Sequence, residues 1–291
     1  MTSPLDIVER MALLKGWLDE RLQPEQPAWV EDQIARIRAG PDGPALALAI
    51  GLAPRKLGKA DLDLSVAEIA AGARLRRGLD ASGWSIDQAA RVLFLLASYD
   101  EDGEAFVERL DRLLTHGEVG EHIALLRGLP LYPAPDLLVA RAGEGVRSAV
   151  QPVFEAVAYA NPYPREAFSE TQWNHMVLKA LFIGSRLAPI QGLDQRRNAD
   201  LAVMLSDYAH ERWAAGRTVS PELWRCVGAF ARETDVADLT NVLREGSEEE
   251  QKAAALALAE CKLPSARVAL DGAPALADTI KQGKLTRDDI K

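Results

Sequence analysis

The chain of 291 residues carries 34 Lys and Arg against 43 Asp and Glu, a formal net charge of -9, with 48% hydrophobic residues and 6% aromatics. An acidic chain without a strong basic stripe repels a phosphate backbone, which argues against nucleic acid as a partner. Cys226 and Cys261 stand 35 positions apart with no CxxC, so free thiols in a reducing compartment are expected rather than a disulfide framework.

In chain order, the N-terminal stretch MTSPLDIVERMALLKGWLDE is interrupted by Asp6, Glu9, Arg10 and Lys15, which leaves no apolar core for a signal peptide. The longest apolar run, ALALAIGLA from Ala45 to Ala53, is far short of the roughly 20 residues that span a bilayer. A soluble, cytoplasmic protein that does not span a membrane is expected. Helical spacing covers nearly every segment, and no β-branched alternation reaches strand length. The spacing predicts helices over 3–22, 25–39, 65–79, 85–99, 103–115, 118–128 and 134–147. It predicts others over 150–160, 170–187, 194–216, 221–233, 236–244 and 247–261. Between the second and third lies GLAPRKLGKADLDLS, Gly51 to Ser65, whose glycines, proline and basic residues read as an irregular connector.

Helix pairs recurring at about 30–45 residues suggest repeat packing. The stretch DVADLTNVLREGSEEEQKAAALALAECKLPSARVAL has the look of a degenerate HEAT-type hairpin. The expected fold class is all-α: a HEAT-like helical-repeat solenoid or a layered α-α superhelix, with little or no strand. Residues 1–150 form an N-terminal and 151–291 a C-terminal helical region, read together as one continuous domain.

The segment from Asn161 to Arg225 is the least ordinary. Two prolines precede Ser169, which with Gln172 makes a capping box, flanked by Phe168 and Trp173 as a hydrophobic staple. On the following helix, His175, Lys179 and Arg186 fall opposite an apolar stripe through Trp173, Val177 and Leu181. On the next, Arg212 and Asn198 fall on the stripe centred on Leu205, with Tyr208 near it, whereas Asp207 and His210 fall on the far side. An inward guanidinium needs a carboxylate, a carbonyl or an anionic ligand. Asp194, about 27 Å along a continuous helix, is too far to serve Arg212. Trp213 and Trp224 can supply flat walls beside Arg217 and Arg225. Eight Lys and Arg face seven Asp and Glu between 161 and 225, a local reversal of the acidic balance that would suit an anionic small molecule. The ligand-binding candidates are therefore Lys179, Asn198, Tyr208, Arg212, Trp213 and Arg217.

Asp207 and His210 have an i, i+3 spacing that also occurs in helical metal sites, but a surface pair is the simpler reading, and no metal or other cofactor is expected. There is no HExxH, GxSxG, phosphate-binding loop or GxGxxG after a strand, and no catalytic residue is assigned.

The stretches NPYPREAFSETQWNHMVLKALF and GLDQRRNADLAVMLSDYAHERWAAGRTVSPELWR resemble the signature of the EboA family, and LAIGLAPRKLGKADL resembles a second, shorter block. The resemblance implies a bacterial protein encoded beside a membrane-type aromatic prenyltransferase, a hydrolase-like TIM barrel and sugar-phosphate-type enzymes. It further implies a part in moving a secondary metabolite or precursor toward the periplasm, and it carries no catalytic residues. The leading expectation is a non-catalytic binding or scaffold protein whose partners are a small anionic or aromatic metabolite, other proteins of that gene cluster, or both. The alternative is an enzyme of a new type with its site around Lys179, Asn198, Asp207, His210 and Arg212, and a third reading makes the Arg/Trp cluster internal glue.

Overall fold

A chain rich in alanine and leucine folds as these side chains favour, into helix. The computed structural model describes residues 4–290, among which there are 17 α-helices and no strand; an isolated antiparallel bridge pairs Asp61 with Ser85. The predicted helix start at residue 3 lies outside the described residues. No helix among the described residues is long and apolar enough to cross a membrane.

The chain divides into two compact units, Met1–Phe168 and Ser169–Lys291. The first holds α1 (Pro4–Asp19), α2 (Gln26–Ala39), α3 (Pro44–Leu57), α4 (Val66–Leu75), α5 (Ile86–Ala97), α6 (Gly103–His116), α7 (Val119–Arg127), α8 (Val139–Arg147), α9 (Gln151–Ala158) and α10 (Tyr163–Ala167). Its centre is α5, IDQAARVLFLLA, apolar on almost every side and buried at every position except Gln88. A helix of that kind has to be surrounded, and α1, α2, α3 and α7 pack around it while α9 packs on α7 and α8. A division at 150/151 falls in the α8–α9 connector, inside this unit.

The second unit holds α11 (Glu170–Phe182), α12 (Ala199–Ala214), α13 (Trp224–Val227), α14 (Glu233–Glu245), α15 (Glu248–Glu260), α16 (Pro264–Asp271) and α17 (Pro274–Lys281). The alanine-rich α15 packs against α13, α14, α16 and α17, and Ser247 caps it with Glu250 in a capping box.

Four expectations need correcting. Residues 51–57 are the end of α3 rather than irregular connector: Pro44 opens that helix, and Gly58, at φ +88, closes it. The helix from 170 stops at Phe182 rather than 187, just before Gly184 at φ +78. The next begins at Ala199 rather than 194, because Asn198 is its N-cap, its side chain accepting from Leu201 N–H. In place of a helix over 221–233, residues 221–230 form two 3-10 turns flanking the four-residue α13, and α14 already begins at Glu233.

The first turn of α4 shows how charge is used to fix a connector. Ser65 and Glu68 make a reciprocal capping box, and Arg21, in the turn after α1, grips both Glu68 oxygens at 2.8 and 2.9 Å while also bonding the Leu62 and Asp63 carbonyls. Arg21 and the Ser65 donors pull the Glu68 carboxyl down from 4.5 to about 2. A carboxyl lowered in the folded state contributes its full stability above its ordinary value and loses it as pH falls toward the folded one. Thermal melts from pH 7 to 2 are expected to show a lower Tm for Glu68→Gln at pH 7 and a shallower fall between pH 4.5 and about 2. Parallel curves for the two proteins would contradict this assignment.

Candidate functional site

Proline inside a helix has no N–H to give the carbonyl four residues back. Pro54 lies in α3, so the carbonyl left without its helical donor is that of Ile50. Arg91 of α5 supplies the donor: its Nε bonds Ile50 O at 3.1 Å and its Nη1 bonds Gly120 O, on α7, at 2.9 Å. Asp87, one turn earlier on α5, stands 3.2 Å from the same Nη1 and accepts from Ser85 Oγ at 2.6 Å. Both charged residues are buried, Arg91 at 5% and Asp87 at 4% exposure. Burial of such a pair is tolerated because the guanidinium has two carbonyls and a carboxylate to bond and the carboxylate also has the Ser85 hydroxyl.

This pair floors a cavity of about 560 Å³. It is lined by Gly51, Pro54 and Lys59, by Ser85, Asp87, Gln88 and Arg91, and by His116, Glu118, Gly120 and Glu121 around the α6–α7 turn, and it opens to solvent where Gly51, Lys59, His116 and Glu118 are exposed. Gly51 leaves it open, since a Cβ there would meet only Glu121 Oε1, at 3.6 Å. A second cavity of about 350 Å³ shares His116 and Glu121 and is more apolar, with Pro41, Leu46, Ala47 and Leu113 in its wall. At its edge Arg109, 1% exposed, is forked by Asp42 and Asp100. That guanidinium holds both carboxyls below the usual range. None of these residues was a sequence-based candidate. The available signal was an acid and a base at i, i+4 inside an otherwise apolar helix, followed by the question of which carbonyl Pro54 leaves unbonded.

The candidates taken from the sequence lie in the second unit and fall into two places. Asn198 pairs reciprocally with Asn174 of α11, amide to amide at 2.9 and 3.1 Å. Arg212 is fourteen residues further along α12, about 21 Å away, so one small ligand cannot touch both. Tyr208 is half-buried and its hydroxyl reaches Leu181 O at 3.4 Å, near half-buried Lys179 on α11. The stretch HERWAAGR is the end of α12: Gly216 turns left-handed at φ +64, Arg217 N–H bonds Arg212 O, and Arg212 Nε bonds Thr218 O at 3.0 Å. Arg212 is thus half-buried and ties down the exit from the helix, where the apolar stripe placed it inward; the stripe has run out by Ala209, the last buried residue of α12. Trp213, 36% exposed, lies against Trp224 and His210, and Arg217 is exposed. His210 Nε2 meets Asp238 of α14 at 2.6 Å, while Asp207 is exposed. No group of three or more His, Cys, Asp or Glu suited to a metal occurs among the described residues.

The inward basic residues of this region are Arg197 and Arg225. Arg225 forks Asp194 at 3.0 and 2.7 Å and reaches Asp288, and Arg197 forks Glu260 at 2.7 and 2.8 Å, where Arg287 also binds. Arg196 lies over the Trp173 ring at 4.8 Å. Beside this network Cys226 is fully buried, and desolvation pushes its thiol up to about 12.

Two unfolding measurements follow from these contacts. Arg91→Met strips a buried carboxylate and two carbonyls of their donor and is expected to cost about 3 kcal/mol in urea unfolding. Adding Pro54→Ala restores an N–H to Ile50 O and recovers about 1 kcal/mol; strict additivity would mean the proline and the arginine are unrelated. Arg212→Leu, which loses one bond to a carbonyl, is expected to cost about 1 kcal/mol, and a loss of several would restore it to the core.

No curated protein and no solved structure matches the chain. One protein family does, over residues 10–228, under the description Metabolite traffic protein EboA. That span takes in the whole of the Arg91 cavity and stops before α14 to α17. With most of its length accounted for in this way, the chain belongs to the EboA family.

Proposed function

We propose that this chain is a non-catalytic binding protein that holds a small metabolite in the cavity over Arg91 during its traffic between other proteins. The observation that carries the reading is the 560 Å³ cavity itself, walled by Gly51, Pro54 and Lys59 and lying entirely inside the residues that match the family. Its floor groups are already bonded to one another and to backbone carbonyls. That suits holding and orienting a ligand better than moving protons. Lys59 and Arg91 are set against Asp87, Glu118 and Glu121, so the chemistry favours a ligand rich in hydroxyl or amide groups over a strongly anionic one. The adjoining apolar recess at Leu46, Ala47 and Leu113 accommodates an apolar part of the same molecule.

A scaffold role can accompany this one. Lys179, Tyr208, Arg212, Trp213 and Arg217 occur toward the C-terminal ends of α11 and α12, and the exposed Trp213 ring is the kind of group that anchors a partner protein. The hairpin of α14 and α15 supports a HEAT-like reading of that end of the chain.

The test is mass spectrometry of small molecules released from the protein purified from its own organism, for wild type and Gly51→Leu. Gly51 is helical and exposed, so leucine there stabilises α3 by about 1 kcal/mol while filling the cavity. The expected result is a stoichiometric compound from the wild type and none from the more stable variant. The same compound retained by Gly51→Leu would place binding elsewhere.

A further inference from the structure

A third cavity of the first unit, about 250 Å³, lies on the other side of Gln88, between the α4–α5 connector, α7 and α9. Its distinctive group is Arg127, the last residue of α7. Elsewhere in this unit Arg21, Arg76, Arg91, Arg109 and Arg141 each meet a carboxylate. Arg127 is half-buried, and its two hydrogen bonds go to neutral acceptors, Gly83 O and Gln88 Oε1, both at 2.6 Å and both from Nη1. Desolvation lowers its pKa, against the charge of Glu155, which lines the same cavity without forming an ion pair with it.

Nε and Nη2 form the side edge of a guanidinium, the fork that matches a carboxylate with two parallel bonds. On Arg127 that edge makes no hydrogen bond among the described residues. A desolvated cation with an unused fork and no ion pair is costly unless something else neutralises it. The lining also carries Asp80 and Glu155, which accept from Ser82 N–H at 3.0 Å and from Gln151 Nε2 at 2.9 Å and, as anions, take further donors rather than a second anion. Ala160, in the same wall, is held at φ +49, a left-handed conformation that a non-glycine residue keeps at a cost and that clusters at ligand sites.

We propose that this cavity is a second ligand site, for a small carboxylate bearing hydroxyl or amino groups: the carboxylate on the Arg127 fork, the donors toward Asp80 and Glu155. Trp84, buried at its edge, gives the site a flat apolar side. The assignment is independent of the Arg91 cavity, since the two share only Gln88.

D-Glycerate is the probe, with glycerol and sodium chloride at matched concentration as controls. The readout is the Nε–H resonance of Arg127 in nitrogen-edited NMR of the full chain, assigned by its loss in Arg127→Lys. Glycerate is expected to shift that resonance saturably, glycerol and chloride to leave it in place, and Arg127→Gln to weaken glycerate binding, read by backbone amides around Trp84, at least about tenfold. Because the main readout uses wild type, a variant that folds poorly leaves the test intact. A resonance that glycerate does not move, or moves no more than chloride does, overturns the proposal and leaves Arg127 as a clamp between Gly83 and Gln88. Equal binding by wild type and Arg127→Gln overturns it as well.

Discussion

The first unit turns on the bond between the Arg91 guanidinium and the carbonyl of Ile50. Pro54 denies that carbonyl its helical donor, and the guanidinium replaces it from a different helix. With the same group Arg91 reaches the Gly120 carbonyl and lies beside Asp87, so a single side chain sets the spacing of α3, α5 and α7. That spacing is what leaves a cavity. A hydrophobic residue at 91 would let the helices close up, as well-packed cores do, whereas a guanidinium bonded to fixed carbonyls holds them apart. The buried charge therefore costs stability and yields a shaped space.

The second unit uses charge of mixed exposure for closure, from Glu222 at 5% to Asp288 at 85%. Arg197 and Arg225 draw in Asp194, Glu260 and Asp288, and Arg186 binds both Glu222 and the Ile290 carbonyl. Glu222 in turn accepts from the N–H groups of Leu187 and Ala188. The segment after α17 is thus tied to residues around α13 by ions as well as by the buried side chains of Leu285 and Ile290. At the more buried members, Glu222 and Arg197, an alternative arrangement would leave a desolvated charge unpaired, which favours this one.

Much of the fold was legible because its determinants are local. Ser169 with Gln172 forms the capping box that its spacing implies. The all-helical class follows from composition and period alone. Helix α3 was hidden because Gly51 and Pro54 are ordinarily breakers, and what rescues the proline is a donor 37 positions away. Arg212 was misplaced because a helical projection assumes that the helix continues, while Gly216 ends it. The apparent basic surplus of residues 161–225 was misleading for a related reason: Glu260 and Asp288, which neutralise Arg197 and Arg225, lie beyond that stretch. Local patterns report elements well, but the electrostatics of a site depend on pairings that only the tertiary fold decides.

The state of the two thiols bears on how the molecule can be followed. Cys226 is fully buried, with its thiol raised to about 12, and Cys261 is half-buried at the end of α15, next to Glu260. Alkylating reagents attack the thiolate, so Cys226 is inert to them in the folded chain. The native sequence therefore behaves as a single-thiol protein, and a fluorophore or spin label on Cys261 reports the Arg197–Glu260–Arg287 cluster without any engineered cysteine.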